Sequence, residues 1–187
     1  MEDPTADAEL VRRCLDGDEA AFEAVLDSYR DRVYALLLRL VRDPRDAEDL
    51  AQEAFLKAFR ALASYDPGRP LASWLFKIAH NAALDFLRAR GEDPAALDDP
   101  ESGLDPAEPV AGIEAVLVRE ETRDRLERIV AGLPPLYREI LLLRHKEDLD
   151  YRAIGEVLGL PEGTVKNRLF RARDLLKARL ESAGEAP

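Results

Sequence analysis

The stretch "DYRAIGEVLGLPEGTVKNRLFRARDLL", Asp150 to Leu176, reads as two helices joined by a tight turn. Asp150 suits the cap of the first helix, because its carboxylate can accept from the orphan amides of the first turn. Ile154, Val157 and Leu158 fall on that helix's apolar face. Gly159 fits the left-handed position at which helices commonly end. The second helix starts near Pro161 or Glu162. At about 100° per residue, Val165, Leu169, Ala172 and Leu176 share a narrow arc. Opposite that arc lie Thr164, Asn167 and Arg171, flanked by Lys166, Arg168, Phe170 and Arg173. A helix that enters a DNA major groove needs such a face: Arg can bind guanine bidentately, Asn can bind adenine, and flanking cations hold phosphates. Phe170 can lie against a thymine methyl or a sugar. The same pattern also suits a basic amphipathic helix in an ordinary bundle, and both readings stand at this point.

Charge is distributed unevenly around this helix. Gly163 to Arg179 carries six basic residues against one acid, Asp174, although the 187-residue chain has a net charge of -11. Residues 1–27 hold nine acids and two bases, and residues 92–114 hold eight acids and no base. Residues 28–91 hold eight acids and eleven bases, and residues 115–187 hold thirteen and fourteen. The acidity therefore sits in an N-terminal arm and a central stretch, and does not argue against a polyanionic partner for the rest. The central stretch "GEDPAALDDPESGLDPAEPVAG" (91–112) contains four prolines and few large apolar residues, which predicts a flexible acidic linker rather than a packed element. An ordered surface loop is the other reading of it.

Apolar spacing predicts helices on both sides of that linker. Asp18 suits an N-cap, and Phe22, Val25, Leu26, Tyr29, Val33, Leu36, Leu37 and Leu40 follow at helical intervals up to Asp43-Pro44. A second helix carries Ala47, Leu50, Ala51, Ala54, Phe55, Ala58 and Leu62. "SYDPGRP" (64–70) is a loop, and a third helix runs over 71–90. Beyond the linker, helices are expected over 113–131 and 136–146, separated by "GLPP". No segment alternates with period two, so the fold class is all-α: two small helical domains, 1–90 and 113–187, joined by the 91–112 linker. Cys14, the single cysteine, shares an apolar face with Leu10, Val11 and Leu15 and is expected as a buried thiol. The polar N-terminus does not read as a signal peptide, and no apolar run approaches the ~20 residues of a membrane span. A cytoplasmic protein without membrane insertion is expected.

Within the 71–90 helix, Trp74, Lys77, Asn81 and Arg88 fall near one face. A flat aromatic, an amide and cations on one surface suit an unstacked nucleic-acid strand. Trp74 is equally suited to a core.

With these residues in place, the chain resembles a bacterial sigma factor of the small, extracytoplasmic-function type. "LPPLYREILLLRHKEDLDYRAIGEVLGLPEGTVKNRLFRARDLLK" resembles the fourth conserved sigma region. "VRDPRDAEDLAQEAFLKAFRAL" followed by "PLASWLFKIAHNAALDFLRAR" resembles the second. The two blocks, in this order, span most of the chain and leave no room for the first and third regions of larger sigma factors. The resemblance implies a non-catalytic initiation subunit that binds core RNA polymerase and promoter DNA and uses no cofactor. The fourth region would read the minus-35 element as duplex, through Thr164, Lys166, Asn167, Arg168, Phe170 and Arg171. The second would hold the polymerase clamp through Asp49, Gln52 and Glu53, which also share one helix face by spacing. It would capture the minus-10 element as single strand, with Arg69 and Ser73 in the specificity loop and Trp74, Lys77, Asn81 and Arg88 behind it. Some positions depart from the family's common pattern. His80 stands where Arg is frequent, Asn167 where a small Ser is frequent, and Asp150 where Ser usually caps. The linker's acids suit either a mimic of nucleic acid that threads the basic channel of the polymerase or a plain solubilising spacer. Family members are often held inactive by an anti-sigma protein, frequently one at the membrane; this sequence names no such partner.

A helix-turn-helix regulator acting without polymerase is the competing reading, although no heptad seam for dimerisation and no ligand domain is visible. An enzyme is disfavoured. There are two histidines, His80 and His145, no Cys/His cluster, no Gly-rich phosphate loop and no nucleophile elbow.

Overall fold

A computed structural model describes residues 4–92 and 128–184. The described residues are helical without a strand. They form α1 (Pro4–Leu15), α2 (Glu19–Val41), α3 (Pro44–Arg60), a 3₁₀ turn at Leu62–Ser64, α4 (Leu71–Ala89), α5 (Pro135–His145), α6 (Tyr151–Leu158) and α7 (Glu162–Gly184). The expected linker and most of the expected 113–131 helix lie outside the described residues.

Local chemistry sets most of the boundaries. Asp18 caps α2 by accepting from the Ala20 and Ala21 amides at 3.0 and 3.4 Å. Asp43 caps α3 through the Arg45 and Asp46 amides at 2.8 and 3.1 Å, with Pro44 supplying a preset first-turn φ. Those bonds favour the ionised carboxylate, so both aspartates titrate below the usual range: beside Asp18 the Arg13 guanidinium is the largest cause, beside Asp43 the Asp46 amide.

The N-terminal domain packs α2, α3 and α4 on one another. The long helix α2 buries Ala21, Val25, Tyr29, Val33, Leu36, Leu37 and Leu40 at intervals of three and four. Full burial of each large aliphatic side chain contributes about 1.5–3 kcal/mol. Cys14 is buried as expected, and desolvation pushes its thiol pKa up. Leu15, expected beside it, is instead exposed at the end of α1.

The acidic arm has a structural role that spacing did not suggest. Pro70 precedes α4 and has no side chain with which to cap it. Asp7, buried on α1, supplies the missing acceptor: the Leu71 amide donates to it at 2.9 Å and the Tyr29 hydroxyl at 3.3 Å. A residue from the first helix thus satisfies the first turn of the fourth.

The C-terminal domain packs α5 and α6 on α7. It also packs on the N-terminal domain, α6 against α4 and α5 against α2, and the buried residues of both form one hydrophobic cluster.

Candidate nucleic-acid interface

The helix-turn-helix forms as the sequence predicts. Asp150 caps α6 through the Ala153 amide at 2.7 Å. Gly159 ends α6 with φ +68°, a left-handed conformation that side chains with a Cβ resist. The Leu160 amide then donates to the Gly155 carbonyl at 2.9 Å. That turn comes so close to α6 that a Cβ added at Gly155 would lie 2.6 Å from the Leu160 carbonyl oxygen. The second glycine was not singled out in the sequence. Its signal was position: four residues before Gly159, on the face that meets the turn.

On α7, Val165, Leu169, Ala172 and Leu176 are buried, as expected. Lys166 is exposed, and Thr164, Asn167, Phe170 and Arg171 are half-buried. Arg168 departs from expectation. It is 6% exposed, because it stands three residues after Val165 and one before Leu169, at the edge of the packed arc. The outer face therefore consists of Thr164, Lys166, Asn167, Phe170 and Arg171.

The second candidate surface lies on α4 and the loop before it. Lys77, Asn81 and Arg88 are exposed along one side of α4, and Arg88 pairs with Asp85 at 3.0 Å. Trp74 is half-buried, edge-on to Tyr65 with ring centroids 5.7 Å apart. It is both core and surface. The loop closes on itself through Tyr65, whose hydroxyl donates to the Arg69 carbonyl. Ser73 is buried and donates to the Pro70 carbonyl at 2.9 Å. The Arg69 guanidinium pairs with Asp66 at 3.2 Å and, across the domain boundary, with Glu156 of α6 at 2.7 Å.

His80 is buried and contacts Glu139 of α5, also buried, at 2.7 Å. Burial opposes the imidazolium, as does the Arg88 charge, but the adjacent Glu139 carboxylate outweighs both and raises the His80 pKa. In the sequence His80 stood out only as a departure from the Arg that is frequent there in the family's pattern. Its partner lies 59 residues away, and no local pattern could have revealed it.

The third surface is on α3. Asp49, Gln52 and Glu53 are exposed, with Glu53 paired to Lys57 at 2.7 Å. Beside them Leu56, which sequence reasoning passed over, is 56% exposed. It borders an apolar groove lined by Leu26, Tyr34, Phe55 and Phe59.

Two family models match the chain: Sigma-70 region 2 over residues 25–92 and Sigma-70 region 4 over residues 123–176. The chain is 35% identical to the RNA polymerase sigma-H factor of Pseudomonas aeruginosa, over 94% of each chain. It is 34% identical to the ECF RNA polymerase sigma-E factor of Escherichia coli, over 97% of each. With the ECF sigma factor SigW of Bacillus subtilis it shares 32% identity, over 91% of this chain and 94% of the relative. Among solved structures, the fold is similar to CnrH in complex with the cytosolic domain of CnrY, with a TM-score of 0.65 at 24% identity over 95% of this chain and 98% of that one. It is also similar to the sigma factor RpoE of Bartonella quintana, solved with the anti-sigma factor NepR, with a TM-score of 0.62 at 24% identity over 86% and 96%.

Proposed function

The chain belongs to the extracytoplasmic-function branch of the sigma-70 family and is an RNA polymerase sigma factor, and from that premise we propose how its residues divide the work. The outer face of α7 enters the major groove of the minus-35 element. Arg171 and Asn167 read base edges, Lys166 and Thr164 hold the backbone, and Phe170 lies against sugar or methyl groups. The α4 face captures the minus-10 element once it is single-stranded. Trp74 and Asn81 contact bases, Lys77 and Arg88 hold phosphates, and Arg69 and Ser73 cradle a splayed base. The α3 face carrying Asp49, Gln52 and Glu53 binds core polymerase, with Leu56 as its apolar member.

The observation that carries this division is the helix-turn-helix. Its glycine-pinned turn directs one polar and cationic face of α7 outward while the opposite face packs. No described helix is long and apolar enough to cross a membrane. A cytoplasmic location follows from the proposed action on polymerase, and the proposal assigns the chain no catalytic step.

The deciding experiment is co-purification with core RNA polymerase, then transcription of a genomic promoter pool with and without the protein. A stable complex and protein-dependent start sites sharing two upstream elements are expected. Duplex binding without a polymerase complex would move the reading to a regulator that acts alone.

A further inference from the structure

The loop before α4 is tied together from within. Its Tyr65 hydroxyl donates to the Arg69 carbonyl, the Gly68 amide to the Asp66 carboxylate at 2.9 Å, and the Arg69 amide to the Asp66 carbonyl at 3.1 Å. A loop closed by such turns moves as a unit. Its joint with α4 is at Pro70 and Leu71. Arg69, Ser73 and Trp74 all lie within three residues of Leu71, on the two sides of that joint.

Support for the joint comes from α1. That helix packs on the 3₁₀ turn that precedes the loop and on α4, which follows it. The Asp7 carboxylate of α1 is 7% exposed and uses both oxygens: Oδ2 accepts from the Leu71 amide at 2.9 Å, and Oδ1 from the Tyr29 hydroxyl at 3.3 Å. Buried donors are costly to leave unanswered, so one side chain ties α1, α2 and α4 at a single point. The same carboxylate acts on the other end of the loop. Burial raises the Tyr65 hydroxyl to about 12, and the Asp7 charge is the next cause. Tyr65 in turn stands edge-on to Trp74.

We propose that Asp7 is a positioning residue for strand capture: through the Leu71 amide it sets the angle between the 64–70 loop and α4, and so the placement of Arg69 and Ser73 relative to Trp74. The N-terminal helix is thereby a working part of the minus-10 reader. What position 7 must supply is an acceptor oxygen rather than a charge. An asparagine meets that need, with its carbonyl oxygen accepting from the Leu71 amide and its own amide donating to the Tyr29 oxygen. This inference rests on the reading of Arg69, Ser73 and Trp74 as strand contacts.

The test uses the full chain in two states. In the free protein, emission from Trp74, the single tryptophan, reports on the joint. Asp7→Ala is expected to shift that emission and to raise its quenching by acrylamide, while Asp7→Asn matches wild type. In holoenzyme with core polymerase, the probe is a promoter from a start site that the protein directs, its minus-10 segment pre-opened by mismatched template bases. The ratio of affinities for the promoter's own strand and for strands with single-base replacements should fall several-fold in Asp7→Ala and stay near wild type in Asp7→Asn. Loss of a negative charge alone would strengthen DNA binding in both variants, so the two explanations differ in sign. Val11→Ala is the stability control: it removes buried packing from α1 and leaves the acceptor of Leu71 in place. An unchanged Trp74 signal in Asp7→Ala, an Asp7→Asn as poor as Asp7→Ala, or an equal loss in Val11→Ala overturns the proposal. Should Asp7→Ala fail to fold, Asp7→Glu, which keeps the charge and moves both oxygens by one methylene, must lower the ratio instead. Arg69→Ala combined with Ser73→Ala tests the underlying reading separately. If that pair leaves the ratio intact, the loop does not read the strand; if it lowers the ratio and Asp7→Ala does not, the positioning role alone falls.

Discussion

Arg168 and Arg171 sit three positions apart on α7, carry the same group and have different surroundings. Arg168 is buried and Arg171 lies half-buried on the outer face. The proposed base readout therefore falls to the second. Arg171→Ala should cost about 1–3 kcal/mol of discrimination between promoter and mismatched duplexes. Lys166→Ala should weaken binding to all duplexes and lower the salt slope by about 1. Titrations of matched and mismatched duplexes at several salt concentrations separate the two effects, and an unchanged sequence preference in the first variant removes Arg171 from the readout. His80 carries a prediction in pH. Its folded pKa lies above the ordinary histidine value of about 6.5, so its contribution is complete below that value and is lost as pH rises through the folded one. The charged groups facing it are Glu139 from α5 and Arg88 from its own helix. An NMR titration should show His80 deprotonating above the ordinary histidine value. Glu139→Gln should bring it down; an unmoved His80 would mean the pair does not persist in solution.

At the scale of elements, two contacts govern how the readout helices are placed. Gly155 lets the turn approach α6, and the space for a methyl group is already filled by the Leu160 carbonyl. Gly155→Ala is therefore expected to destabilise the domain by about 1–3 kcal/mol through overpacking, although alanine is the better helix former. Chemical denaturation monitored by circular dichroism measures it, and a neutral or stabilised variant would show that the turn relaxes. Asp7 holds the start of α4 from α1. Asp7→Ala strips the Leu71 amide and the Tyr29 hydroxyl of a buried acceptor, at about 1–3 kcal/mol, and should speed hydrogen exchange at the start of α4. Protection unchanged there would mean another group replaces it. Both effects act on elements whose sequence signals were clear, while the contacts that orient them are not local.

At the scale of the whole molecule, the three proposed surfaces are separable. Asp49 is exposed on α3, outside the contacts that join the domains. Asp49→Arg in the full chain should abolish polymerase-dependent transcription by weakening the polymerase complex while leaving minus-35 duplex affinity unchanged. Retained polymerase affinity, measured by size-exclusion co-elution, would refute the role. The association of the domains is also a property of this scale. Buried side chains from both domains form one cluster, so opening exposes apolar surface and breaks ion pairs together. The linker reading left the relative placement of the domains open, because a Pro-rich acidic segment permits many arrangements.

What the sequence determined by itself is whatever depends on near neighbours. Asp18, Asp43 and Asp150 cap the helices that follow them, Gly159 ends α6, and the apolar spacing of α2 and α7 marks which sides are buried. Each is settled within one or two helical turns, where backbone geometry and 3.6-residue periodicity leave few alternatives. The tertiary structure alone decided which polar groups are answered from afar. Asp7 caps α4 across 64 residues, Glu139 holds His80 across 59, and Glu156 occupies Arg69 across 87. A charged residue in a sequence looks the same whether it meets water, DNA or a buried partner. Only packing fixes the dielectric around it and the group it faces, and those two quantities decide its energy.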